Sequence, residues 1–133
     1  MASTLKINTL TGVTTAGSIA VTGEGNSTTT NLQQGLAKSW VNFDGTGTIA
    51  TRDSFNVASL TDITNGSHDV NLSSSFSAAD YAVSGSTGGT NQSNHFNGGT
   101  NVRTSAFNAR VLVANVSTND DAQVHAMAMG DLA

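Results

Sequence analysis

The sequence predicts an all-β protein: an antiparallel β-sandwich of jelly-roll-like type, preceded by an extended N-terminal arm and a short helical turn. From Trp40 onward, apolar residues recur with a period of two, as in strands that bury one face. Turn sequences separate these runs at intervals of roughly 8–12 residues, which is typical of sandwiches. The chain also has no proline that would interrupt a ladder of backbone hydrogen bonds.

The expected division is an arm over residues 1–38, used for attachment and oligomerisation, and a sandwich over residues 39–133. Apolar residues in the arm are thinly spaced among Thr, Gly, Asn and Ser. Such a segment is either a flexible tail or an arm that adds strands to another protein. The recurrence of its apolar residues favours an arm, because a pure linker does not need them. The predicted attachment residues are Leu5, Ile7, Leu10, Val13, Ile19 and Val21.

One helix is predicted, between Leu32 and Trp40, with Asn31 as its N-terminal cap. Leu32, Leu36 and Trp40 follow each other at four-residue intervals and would share one helical face. Gly35 lowers helix stability by about 1 kcal/mol relative to Ala, so only one or two turns are expected. The shared face packs either about the axis of an oligomer or on the protein's own sandwich.

Turn signals organise the first half of the predicted sandwich. The Asp44-Gly45 pair predicts a turn after the strand that contains Trp40. A run of β-type residues from Ile49 to Ile63 changes parity near Ser59, which predicts a bulge or break there. The Asn65-Gly66 pair is the strongest hairpin signal in the chain, and it joins this run to the next strand.

The second half contains two alternating strands and one long polar segment. Phe76 and the residues after it are expected to cross between sheets. Residues 107–113 and 124–129 alternate clearly and predict strands. Residues 84–101 are rich in Gly, Ser, Asn and Thr, and they predict a long exposed loop. The expected recognition residues of this loop are Asn91, Asn94, His95, Phe96 and Asn97.

The composition argues against nucleic acid and membranes as partners, and against sites built from cysteine. Charged residues make up 11% of the chain, less than half the common value of about 25%. Five basic against nine acidic residues, with no basic cluster, predict no nucleic-acid binding. No run approaches the roughly 20 apolar residues that a membrane helix needs, so no membrane insertion is expected. The absence of cysteine excludes disulfides and thiolate metal sites.

No catalytic or metal-ligating constellation is predicted, and no cofactor is expected. The aspartates lie mostly in turn contexts, where the side chain bonds to the local backbone, so paired-carboxylate catalysis is not needed to explain them. His68, His95 and His125 lie on three separate segments, without the spacing of a shared metal site. An enzyme is therefore the least supported class of protein.

The segment LQQGLAKSWVNFDGTGTIATRDSFNVASL, from Leu32 to Leu60, resembles a module that recurs in small virion proteins and fibre-like proteins of tailed phages, especially marine ones. The opening TLKINTLTGVTTAGSIAVTGEGNSTTTNLQQG and the closing HAMAMGDLA resemble the ends of the same small proteins. The likeness spans nearly the whole chain. It implies a non-enzymatic surface protein of a virion, made in the cytoplasm of a bacterial host.

Two placements on the virion follow from this resemblance. A capsid decoration protein, of the cement or head-fibre kind, would bind the major capsid protein through its arm. A tail-fibre-like protein would present residues 84–101 to a host receptor or surface glycan, with a tail protein as its attachment partner. The short chain favours decoration, because a fibre usually needs a long shaft, whereas the likeness to fibre-like proteins favours the tail. A small secreted lectin-like protein is a third class compatible with the fold.

We expect a homotrimer in solution. The low charge and the sparse core residues predict that a symmetric oligomer supplies part of the buried area of this small protein. Sedimentation velocity over micromolar concentrations measures the mass directly. A stable monomer throughout that range would contradict the expectation.

Overall fold

The computed structural model of the protein describes most of the chain, and the chain divides after Leu36 into two compact units, residues 1–36 and 37–133. The residues described are 4–12, 19–23, 28–88, 94–113 and 117–133. Their secondary structure is almost entirely strand, as predicted. In chain order the elements are β1 (Ala20–Thr22), β2 (Thr29–Asn31), α1 (Leu32–Gly35), β3 (Ser39–Asp44), β4 (Ala50–Phe55), β5 (Val57–Thr64), β6 (Ser67–Leu72), β7 (Ala82–Thr87), β8 (Asn94–Arg103), β9 (Ala106–Val113), β10 (Ser117–Thr118) and β11 (Val124–Met129).

The N-terminal unit contains one small hairpin and one helical turn. Strands β1 and β2 pair antiparallel, with Val21 opposite Thr30. The predicted alternation around Val21 thus forms a strand, whereas residues 4–12 contain neither strand nor helix. The predicted cap is confirmed, since the Asn31 side chain accepts a hydrogen bond from the Gln34 amide at 3.1 Å.

The predicted helix is shorter than the sequence spacing indicated. Helix α1 ends at Gly35, and Leu36 has extended backbone angles of φ −98° and ψ 141°. Trp40 belongs instead to strand β3. Gly35 disfavours helix, as noted, and the residues from Ser39 onward gain backbone partners in a sheet. The four-residue spacing that suggested one helical face is therefore coincidental.

The C-terminal unit is an antiparallel β-sandwich, which confirms the predicted fold class. One sheet has the strand order β4–β3–β11–β7. The other has the order β10–β9–β6–β5, and β8 also pairs with β9. The first and last strands of the unit, β3 and β11, are neighbours in the middle of the four-stranded sheet.

The core lies between the two sheets and is built from alternate residues of the central strands. Its fully buried aromatic side chains are Phe43, Phe76 and Phe107. The predicted alternation of β9 and β11 is confirmed, because Phe107, Val124 and their period-two neighbours face this core. Tyr81 stacks on Phe76 with ring centroids 3.9 Å apart. Burial raises the pKa of the Tyr81 hydroxyl to about 12.

One predicted irregularity and one predicted turn of the sandwich are confirmed. The β5–β6 register shifts between Val57 and Ser59, as the parity change indicated. Asn65 and Gly66 form the turn that joins β5 to β6. Gly66 adopts a left-handed φ of +66°. Its amide donates to the Asp120 carboxylate at 2.6 Å, and its carbonyl accepts from the Val111 amide. The turn is therefore tied to two other parts of the chain.

A single residue, Asn56, takes the chain from one sheet to the other between β4 and β5. It has a left-handed φ of +56°. Its side-chain amide donates to the carbonyls of Lys38 and Ser74, and its Oδ1 accepts from the Ser74 amide. The predicted continuous run from Ile49 to Ile63 is therefore two strands in different sheets, joined by a corner that these hydrogen bonds hold.

The predicted long loop over residues 84–101 is wrong for most of its length. Strands β7 and β8 occupy its two ends, and only residues 89–93 between them lie outside the described residues. Strand β7 pairs with β11, and β8 pairs with β9. The polar composition of this segment indicated a loop, but its backbone groups complete the edges of both sheets, which compensates for its poor strand propensity.

We predict that Gly66→Ala destabilises the sandwich more than Gly47→Ala does. Both glycines have positive φ, +66° and +59°, and the strain of a left-handed alanine costs about 1–2 kcal/mol at either site. A Cβ at Gly66 would also overlap the Asn119 backbone, whereas a Cβ at Gly47 meets open space. Overpacking adds about 1–3 kcal/mol at Gly66 alone. Urea unfolding measures both costs, and equal losses would contradict the reading.

Candidate functional site

Four of the six predicted attachment residues are solvent-exposed. The exposed fractions are 78% for Leu5, 50% for Ile7, 54% for Leu10 and 51% for Val21. Ile19 is half-buried, and its carbonyl accepts a hydrogen bond from the Leu32 amide. Val13 lies outside the described residues. The N-terminal unit thus presents large apolar side chains to solvent over a short stretch of chain.

The predicted oligomer interface is not one surface of one helix. Leu32 lies in α1 and is half-buried, and Leu36 follows the helix in extended backbone with 52% of its side chain exposed. Trp40 lies on β3 in the C-terminal unit. The three residues therefore do not share one helical face.

The predicted recognition residues are mostly structural rather than displayed on a loop. Asn91 lies outside the described residues. Asn94 donates from its amide to the nearly buried Asp121 carboxylate at 2.7 Å. The half-buried His95 lies on β8 opposite Leu112, and of the predicted residues that the structure describes only Asn97 is exposed.

Phe96 is a core-packing residue. Its ring lies against the sandwich core and over Gly85 and Gly98, where an added Cβ would overlap the ring. Gly98, two residues along the same strand, and Gly85 of β7 thus leave a slot that a large aromatic side chain fills. The sequence placed Phe96 in a polar surrounding, and only the packing of the two sheets brings Gly85 to its ring.

The outer face of the four-stranded sheet carries a row of exposed apolar side chains. Phe55 of β4 pairs with Trp40 of β3, and Trp40 pairs with Met127 of β11. Their exposed fractions are 53%, 38% and 44%. Met129, two residues along β11, is 37% exposed on the same face. Four large apolar side chains from three strands therefore form one continuous surface patch.

A row of polar side chains runs beside this apolar row. Asp53, Asn42 and His125 face each other across β4, β3 and β11. Ser86 of β7 continues the row opposite His125. The Oδ1 atom of Asn42 is buried without a hydrogen-bond partner. Because side chains two apart on a strand are about 7 Å apart, the polar row borders the apolar one directly.

Trp40 and Met127 of the apolar row, together with the polar row, line a shallow concavity of about 560 Å³, which we call the Trp40 groove. Its lining side chains include Trp40, Asn42, Asp53, Ser84, Ser86, His125 and Met127. Its volume falls within the range of about 300–1,000 Å³ that is usual for small-molecule sites. The sequence places His125 and Met127 on one alternating strand but assigns Trp40 to a helix, because period-two alternation shows the faces of a strand and not its neighbours in the sheet.

The outer face of the other sheet holds a polar depression of about 600 Å³ around Asn108. Asn108 is nearly buried, and its amide donates to the Asp69 carboxylate at 3.0 Å. Arg103 forms an ion pair with Asp69 at 2.6 Å. The hydroxyls of Ser67 and Thr100 both donate to Asn108 Oδ1. Most polar groups of this depression thus satisfy one another.

His68 is a fully buried histidine between two acidic residues. Its ring stands edge-on to Phe43, with ring centroids 5.4 Å apart. Nδ1 lies 3.6 Å from the Asp62 carboxylate and Nε2 lies 3.7 Å from the Asp120 carboxylate. Burial lowers the pKa of His68, and the two carboxylates only partly offset this effect. The neutral imidazole is therefore favoured in the folded protein.

Among the residues that the structure describes, no group of three or more His, Asp or Glu side chains is close enough to hold a metal ion. The one helix described, a single turn, is far too short to cross a membrane.

Comparisons of the chain with protein-family models, with curated proteins and with solved structures found no match. The resemblance to phage virion proteins therefore stays an expectation from the sequence.

We predict that acid destabilises the protein partly through His68. Its pKa is lowered in the folded state from the ordinary value of 6.5, so the unfolded chain binds the proton more readily. Stability is then full above about pH 6.5 and is lost as the pH falls toward the folded-state pKa. Urea unfolding at about pH 7.5 and 5.5 should show a smaller pH dependence for His68→Leu than for the unaltered protein. Equal pH dependence would contradict the assignment.

Proposed function

We propose that this protein is a non-enzymatic structural protein of a phage virion surface, a capsid decoration protein that attaches through its N-terminal segment. The observation that carries the proposal is the exposure of Leu5, Ile7, Leu10 and Val21 within the first 21 residues. Large apolar side chains concentrated on one short segment are expected to be buried against a partner.

The energetics favour a continuous interface on a partner. Full burial of each of these side chains stabilises a complex by about 1.5–3 kcal/mol. Ordering an extended segment costs about 1–2 kcal/mol per residue, so scattered contacts would not hold it. Strands β1 and β2 pair only with each other among the described residues, so each leaves an edge to which a partner strand can add.

The placement on the capsid is supported by the resemblance of the chain to small phage virion proteins. The alternative is a tail-fibre-like protein that binds a host receptor through an exposed loop over residues 84–101. This loop no longer supports the alternative, because most of the segment belongs to strands β7 and β8. The major capsid protein is therefore the proposed partner, and the homotrimer remains the proposed assembly state.

We expect the triple variant Leu5→Ser, Ile7→Ser, Leu10→Ser to fold normally and to fail to load onto virions. Three lost burials of about 1.5–3 kcal/mol each predict an affinity at least a hundredfold lower. Quantitative mass spectrometry of purified virions measures the copies per particle. Hundreds of copies for the unaltered protein support decoration, whereas a few to tens would place it on the tail.

The matched control replaces Thr4, Thr9 and Thr11, which are exposed in the same segment, by serine. This control should load at the unaltered copy number. Deletion of residues 1–36 should also abolish loading and leave the sandwich folded, since the core residues all lie in the C-terminal unit. Loading of the deletion variant at full copy number, or loss of its β-type circular dichroism, would refute the proposal.

A further inference from the structure

We propose that the Trp40 groove binds a carbohydrate, with equatorially substituted pyranose rings lying on Trp40 and their hydroxyl groups meeting the adjacent polar row. This site belongs to the sandwich alone and does not depend on where the protein is attached. Its ligand class follows from the arrangement of side chains on the outer face of the four-stranded sheet.

The arrangement places an apolar platform next to hydrogen-bonding groups in one concavity. Trp40 and Met127 form the apolar platform inside the groove, and Phe55 extends it beside Trp40 on β4, over about 10 Å in all at the usual strand spacing of about 4.8 Å. The neighbouring row contributes a carboxylate from Asp53 and an imidazole from His125. Both hydrogen-bond donors and acceptors therefore border the platform.

Pyranose rings with equatorial substituents have the complementary shape. Their axial C–H groups form an apolar face, which suits the negative face of an indole ring. Their hydroxyls point outward from the ring edge, where they both donate and accept hydrogen bonds. A sugar lying on Trp40 would thus direct hydroxyls toward the exposed carboxylate of Asp53, which lies beside Asn42 in the polar row.

The extent of the apolar patch favours a small ligand over a second copy of the chain. The four apolar side chains are 37–53% exposed, which leaves on the order of 350 Å² if each side chain has roughly 200 Å². A stable protein interface buries about 800 Å² on each partner. The patch covers less than half of that area, whereas a concavity of about 560 Å³ holds an oligosaccharide fragment.

The test uses the fluorescence of Trp40, since it is the only tryptophan in the chain. The full-length protein is titrated with cellotriose and, separately, with triacetylchitotriose, both built from equatorially substituted pyranoses. We expect a saturable change in Trp40 emission with at least one of them, with a Kd on the order of 0.1–1 mM. Glycerol at matched refractive index serves as the solvent control.

Two groove variants that retain Trp40, and so its fluorescence, are compared with two control variants outside the groove. Met127→Ala and Asp53→Ala should each weaken binding by about fivefold or more. Ile63→Ala and Asp80→Ala change exposed residues elsewhere and should leave the Kd unchanged. Equal urea midpoints for all four variants exclude unfolding as the cause.

Two results would overturn the proposal. One is the absence of a saturable change with either trisaccharide at concentrations up to about 20 mM, well above the expected Kd. The other is an emission shift that depends on protein concentration, follows self-association in sedimentation and disappears in Met127→Ala. That second result would show that another copy of the chain covers the groove.

Discussion

The pairing of β3 with β11 is the constraint on which the sandwich depends. It joins the first and last strands of the C-terminal unit in the centre of one sheet. The register that buries Phe43 beside Val124 also sets Trp40 beside Met127 on the outer face. Since side chains alternate along a strand, a slip of one residue would exchange the two faces. Core packing therefore determines the chemistry of the exposed surface.

Features that depend on near neighbours in the chain could be predicted from the sequence. The alternation of Val124, Ala126 and Ala128 revealed a buried strand face, because the side-chain period of a strand is two. The Asn65-Gly66 turn could be predicted because glycine readily adopts the left-handed φ that this turn uses. The cap at Asn31 was equally local, since its hydrogen bond spans three residues.

Features that depend on distant partners could not be predicted. Nothing near Phe96 indicates that Gly85, on a strand of the other sheet, leaves room for its ring. The spacing of Leu36 and Trp40 fits a helix as well as a loop followed by a strand, and pairing with β11 decides between them. The candidate groove likewise combines Asp53, Trp40 and Met127, whose adjacency follows from the strand order alone.

The polar contacts of this sandwich come largely from neutral side chains, as expected for a chain with few charges. Asn56 holds the corner between the sheets, and Asn71 bridges to the hydroxyls of Ser59 and Thr61 on the neighbouring strand. Dissolved ions screen attraction between exposed charges, over about 10 Å at 0.1 M salt and only about 3 Å at 1 M. Amide and hydroxyl hydrogen bonds carry no net charge to be screened. These neutral hydrogen bonds therefore keep their strength from dilute buffer to strongly saline water, whereas exposed ion pairs such as Arg52–Asp44 weaken.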